Sequence, residues 1–126
     1  MPFSDAFIKG ILCNFLVCIA VWISFAAKEV VSKIVGLFFP IMMFVLCGFE
    51  HSIANMYYIS AGLFAKTNAT YVQAATDAGV DLTNLTWGNF FSKNLLTGTL
   101  GNIVGGAICV GCAYWFIYLR KAKKAA

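Results

Sequence analysis

Residues 48–56, "GFEHSIANM", place a carboxylate (Glu50), an imidazole (His51) and an amide (Asn55) inside one of the most apolar stretches of the chain. The apolar run around them covers residues 30–65. At about 1.5 Å rise per residue a bilayer is crossed by about 20 helical residues, so this run is too long for one uninterrupted crossing. Two residues can interrupt it. Pro40 lacks a backbone donor and kinks helices, and Gly48 reaches backbone angles closed to other residues. The expectation is a discontinuous segment, two helical pieces on either side of "CGFEHS", with the break near residues 47–52.

Working outward, residues 7–27 form a first apolar block interrupted by Lys9 and Asn14, and residues 95–119 form a third. Between them, residues 66–94 are rich in Thr, Asn, Asp and Gly and read as an extramembrane loop with one short helix. In "TWGNFFSKN" either Thr86 or Asn89 suits a helix cap. Hydrophobic residues make up 61% of the 126 and charged residues 11%, against about 45–50% and about 25% in soluble domains. The fold class is therefore an all-α membrane protein, one membrane domain over residues 1–126 with three transmembrane segments, the second a broken helix.

The net charge of +4 comes largely from the tail at residues 120–126, "RKAKKAA". Cytoplasmic flanks carry the excess of Lys and Arg, so the C-terminus is placed inside, the turn holding Lys28 and Lys33 inside, and the 66–94 loop outside. The basic residues read as an orientation signal, with no nucleic-acid partner. "MPFSDAFIKG" has no basic leader, and no signal peptide is expected. The five cysteines lie in apolar stretches and read as small packing residues. A redox or metal enzyme would need a converging ligand set, and the chain has one histidine. No cofactor, no metal and no enzymatic activity are expected.

A charged side chain at membrane depth costs roughly 2.5–3.5 kcal/mol on insertion scales, so Glu50 and His51 need a reason. They either cap the two half-helices or line a site, since irregular backbone is tolerated in a bilayer only where it is buried in protein or faces a cavity. Histidine titrates near neutrality and can hand a proton to a passing anion. Phe44, two helical turns before His51, can stack on the same face, or simply pack in lipid. In the third block Gly101 and Gly105 form a Gly-x-x-x-Gly pair suited to close helix approach. Asn102 between them either holds helices together or lines a pathway.

"GFEHSIANM", together with "GILCNFLVC" in the first block and "NLLTGTLGNIVGG" in the third, resembles the formate/nitrite transporter family over essentially the whole chain. The resemblance implies an aquaporin-like channel of inverted three-helix repeats, a homopentamer in the inner membrane of a prokaryote, with a pore in each protomer. Formate above all, or nitrite or hydrosulfide, would pass as anion or conjugate acid, with protons as co-partners. By motif, His51 is the central pore histidine, Phe44 the aromatic of one constriction, and Asn102 the asparagine near that histidine. Glu50, Asn14 and Asn55 give polar support behind the pore wall. Three segments correspond to the C-terminal half of such a protomer, so a missing N-terminal half or full-length protomers become expected partners. A family lysine just upstream of the matching region has no counterpart here, Lys9 lying inside the first segment. The alternative is a non-transporting half-channel fragment or a helical assembly partner, in which Gly101 and Gly105 matter and His51 does not.

Overall fold

The computed structural model describes residues 1–120, and all regular structure among them is helical. Five helices follow one another: α1 (Phe3–Ala26), α2 (Val30–Leu46), α3 (Ser52–Ala65), α4 (Ala69–Asp77) and α5 (Trp87–Leu119). Helix α5 includes wider π-type turns at Phe90–Leu95, Val104–Cys112 and Trp115–Leu119. Helices α1 and α5 are long and apolar enough to cross a membrane, and α2 is shorter, at 17 residues. The basic residues Lys121, Lys123 and Lys124 of the tail lie outside the described residues.

Pro40, one of the two expected interrupters, does not interrupt. Helix α2 runs through it to Leu46, because a proline removes one hydrogen bond but leaves the rest of the ladder intact. The chain turns at Gly48 instead, whose φ is +61°. There the N–H of Phe49 donates to the carbonyl of Phe44 (3.0 Å) and that of Gly48 to Val45 (3.1 Å), the paired bonds of a Schellman termination. Gly79, with φ +75°, ends α4 in the same way.

The long helix also begins earlier than the third apolar block. Thr86 Oγ1 accepts from the N–H of Asn89 (3.2 Å), so α5 starts at Trp87 and carries the polar residues of its first turns into the helix. Of the two candidate caps Thr86 acts, while Asn89 donates its side chain to the Asn84 carbonyl (3.0 Å). The preceding loop is tied down by Lys66, whose ammonium donates to the carbonyls of Leu82 (2.9 Å) and Leu85 (3.0 Å). In the same loop Thr83 donates to Asp81, from its side chain foremost and from its backbone, holding that carboxyl below the ordinary aspartate range.

Helices α1 and α5 lie side by side and run in the same direction. Phe7 and Gly10 meet Gly101, Ile11 meets Gly105, Asn14 and Cys18 meet Gly106, and the Trp22 ring lies 4.1 Å from that of Tyr114. Helix α2 doubles back along α1, with Gly36 against Ile23. Helix α3 continues antiparallel to α5, bringing Ser52 to Asn102 and Phe64 to Trp87.

Backbones approach closely because the facing residues are small. A Cβ on Gly10 would stand 2.9 Å from the Gly98 carbonyl oxygen, and one on Gly105 would stand 3.0 Å from Ile11 Cα. The side chains of the α1 interior, Ala6, Cys13 and Ala20, are small; Leu63, Phe90 and Val110 are buried elsewhere, and the largest fully buried side chains are Thr97 and Cys13. Large apolar side chains point outward, with Leu46 76% exposed and Phe25 74%. A water-soluble fold reverses that arrangement. An outward apolar face suits lipid or protein partners.

Adding one methyl group at two glycines should therefore have opposite effects. Gly105→Ala forces the α1–α5 seam apart and should cost about 1–3 kcal/mol. Gly88→Ala meets nothing within 4 Å and should gain up to about 1 kcal/mol from helix propensity. Thermal melting in detergent reads both, and equal midpoints for the two variants would show that the seam is not tight.

Candidate functional site

The break between α2 and α3, residues 47–51, lies beside the middle of α5. Ending one helix and beginning another leaves carbonyls and N–H groups without intrahelical partners, and here side chains supply several of them. His51 is the N-cap of α3: its Nδ1 accepts from the N–H of Ala54 at 3.1 Å. Since Nδ1 accepts, the proton of the neutral imidazole sits on Nε2.

Asn102 reaches into the break from α5. Its Nδ2 donates to the carbonyl of Gly10 (2.8 Å) and to that of Glu50 (2.8 Å). Its Oδ1 accepts from the backbone N–H of Ser52 (3.0 Å) and from the Ser52 hydroxyl (2.9 Å). The orientation of the amide follows from its partners, because the reverse would set its oxygen against two carbonyl oxygens. All four hydrogen-bonding positions of the side chain are thus spent on protein groups, at 8% exposure. Through these bonds Asn102 joins α1, the break, α3 and α5.

A second cluster forms around the Glu50 carboxylate. Its Oε2 accepts from the amides of Asn55 (2.5 Å) and Asn94 (3.0 Å), and Asn55 Nδ2 also donates to Asn94 Oδ1 (3.0 Å). Both donors to the carboxylate are neutral amides. Asn14 does not touch Glu50. It donates to the backbone carbonyl of Asn102 at 2.7 Å and is linked to Glu50 only through that residue.

Phe44 and His51 come together on the other side of the break. Their rings stack with centroids 5.4 Å apart and planes 24° from parallel. Both are half-exposed, whereas Ser52 and Asn102 behind them are buried. The break therefore has a polar, protein-filled back and an open face made of an aromatic ring over an imidazole. Gly101 and Gly105 lie away from this face, at the α1 seam.

Ser52, Gly10 and Asn94 belong to the site without having been singled out in sequence. Ser52 follows directly on His51 and lies in a motif that was read for its charges. Asn94 opens the block "NLLTGTLGNIVGG", and a polar residue at the head of an apolar helix was its only signal. Gly10 acts through a backbone carbonyl, which carries no sequence signature.

Comparison with known proteins places this arrangement. The family model described as formate/nitrite transporter matches residues 1–116. A protein named probable formate transporter, from Methanothermobacter thermautotrophicus, is 43% identical over 121 residues, which are 96% of this chain and 38% of the relative. The formate channel FocA of Escherichia coli K12 is 42% identical over 121 residues, 94% of this chain and 42% of the relative. Among solved structures, a pentameric formate channel with formate bound matches with a TM-score of 0.81 at 43% identity, over 94% of this chain and 48% of that one. The chain thus spans about two-fifths of the length of these curated relatives.

The bracing amide can be tested directly. Asn102→Ala removes the partner of the Glu50 carbonyl and of the Ser52 N–H, each worth about 1–3 kcal/mol when left buried and unpaired, and takes a second hydrogen bond from the Gly10 carbonyl, which keeps its place in the α1 ladder. The melting temperature should drop sharply, and amide exchange at Ser52 should accelerate ahead of exchange along the middle of α1. Unchanged exchange at Ser52 would show that the break is held by other contacts.

Proposed function

The chain belongs to the formate/nitrite transporter family, and on that premise we propose that it forms part of a membrane pore for small monovalent anions or their conjugate acids. Formate is the first candidate, being the ion named in the transporter and the channels it resembles. Nitrite and hydrosulfide share its size and charge class. In this reading α1, the interrupted pair α2–α3, and α5 make three crossings. The subunits assemble as in the pentameric relative, and the C-terminus lies on the cytoplasmic side of a prokaryotic inner membrane. The wall facing Phe44 and His51 is supplied by polypeptide beyond these 126 residues, either a further half of the protomer or full-length protomers.

The observation that carries the proposal is the Phe44–His51 stack, exposed at the helix break while the polar groups behind it are consumed by protein. A bare anion pays heavily to enter an apolar constriction, whereas a neutral acid does not. The Phe44 ring supplies the apolar narrowing. The His51 Nε2–H, next to it, is a hydrogen-bond donor where an anion has lost water. Because Nδ1 is committed to the Ala54 N–H, the cap is available only to the neutral ring.

Glu50 has a different part, with its Oε2 turned to Asn55 and Asn94. Asn102 braces the wall and has no free position for a permeant. The alternative of a non-transporting assembly partner finds no support in the relatives, which are named as channels and transporters.

Formate flux into proteoliposomes containing the assembled protein tests the role of His51. Losing a hydrogen bond to a charged group costs about 1.5–3 kcal/mol, so His51→Phe should slow flux roughly ten- to hundredfold. His51→Asn keeps both a cap acceptor and a donor but cannot titrate. It should conduct within a few-fold of the parent, with a flat pH profile near neutrality. Wild-type flux and pH dependence in His51→Phe would reject the assignment.

A further inference from the structure

The Glu50 cluster raises a question that the pore reading leaves open: what keeps the carboxylate turned from the face where His51 and Phe44 stand. Glu50 precedes His51 directly, on irregular backbone that no helix rigidifies. Its Oε2 is held by amides from two other elements, Asn55 in the first turns of α3 and Asn94 in α5. The three side chains close a triangle, since Asn55 also donates to Asn94 Oδ1 at 3.0 Å. Asn94 is the member that reaches across. It is the only one of the three on α5, and it uses its donor on Glu50 and its acceptor on Asn55.

We propose that Asn94 is a positioning residue for the pore face, clamping Glu50 and the first turns of α3 so that His51 keeps its stacked, Nδ1-capped orientation. The inference rests on the pore reading of His51 and adds a residue to it. Removing the Asn94 amide frees the carboxylate oxygen from one donor and leaves Asn55 with an unpaired N–H. The carboxylate can then swing on its flexible segment toward the permeant path, where a negative charge repels an anion. The titratable groups that face this cluster are Glu50 itself on the break, His51 beside it, and the Cys13 thiol of α1, which is near enough to feel the Glu50 charge. Asn55 and Asn94 are neutral.

Two variants separate clamping from bulk stability. Asn94→Leu keeps the branching and heavy-atom count of the side chain and deletes both hydrogen bonds. Asn94→Asp keeps the shape and the acceptor for Asn55 but sets a second carboxylate against Glu50, and two such groups ionise together only with difficulty. Formate flux, normalised to assembled protein, should fall about tenfold in Asn94→Leu at every pH, the factor expected for one hydrogen bond to a charged acceptor. In Asn94→Asp it should fall at high pH and recover as the pH is lowered and the pair takes up a shared proton. His51 is the one histidine of the chain, so ¹⁵N-histidine labelling gives a single imidazole to follow. Its ring signals should show the Nδ1-acceptor tautomer in the parent and lose that uniform state in Asn94→Leu. Parent-like ring signals together with a parent-like flux profile in both variants would overturn the proposal, as would a loss of melting temperature with neither readout moved. The His51→Phe variant runs alongside. If it conducts normally, the pore reading has failed; if it is slowed while the Asn94 variants match the parent, only the clamp has failed.

Discussion

One carboxamide holds the architecture in register. The break between α2 and α3 exposes a carbonyl at Glu50 and an N–H at Ser52, and α1 turns the Gly10 carbonyl toward the same spot. Two acceptors and a donor, fixed in space, call for a group with two N–H donors and an oxygen that accepts twice. A primary amide provides this, and a carboxylate or a hydroxyl does not. Asn102 can reach all of them only because α1 and α5 approach at backbone distance, which Gly10, Gly101 and Gly105 permit. The glycine seam and the asparagine are therefore a single device: the first brings the backbones together and the second ties the broken chain to them.

That device lets the polar part of the molecule lie inward without a conventional core. Small side chains fill the α1–α5 seam, most large apolar ones face outward, and the polar groups are paired in two clusters around Asn102 and Glu50. Pairing matters more here than in water, because no solvent rescues an orphaned backbone group in a bilayer. The proposed pore face follows from the same economy. Once the polar groups behind the break are satisfied by one another, the Phe44 ring and the His51 Nε2–H are left for whatever passes.

Much of the secondary structure could be read from residue order. Between α2 and α3 the chain leaves regular helix at residues 47–51, within "CGFEHS". Pro40 was the misleading signal, since a proline weakens a helix by a local amount while the flanking ladder carries on. The start of α5 at Trp87 was obscured by the polar residues after it, although the Thr86 cap marked it. The spacing of Phe44 and His51 permitted a stack without requiring it, and the rings do stack. The separation of Asn14 from Glu50, and the inclusion of Ser52 and Asn94, did not follow from residue order, because each depends on how α1, α3 and α5 are set against one another.

The sequence by itself determined that this chain is apolar and reads as helical, and that a carboxylate and an imidazole sit side by side just after Gly48 in its second apolar run. Those are consequences of composition and residue order, both local quantities. Only the tertiary structure decided which polar atoms meet. It turned the Asn102 amide to Gly10, Glu50 and Ser52, turned Glu50 toward Asn55 and Asn94, and left His51 capping α3 through Nδ1. The reason is that hydrogen bonds saturate: a side chain with four positions filled has none to offer, and which are filled depends on residues as far apart in the chain as Gly10, Ser52 and Asn102.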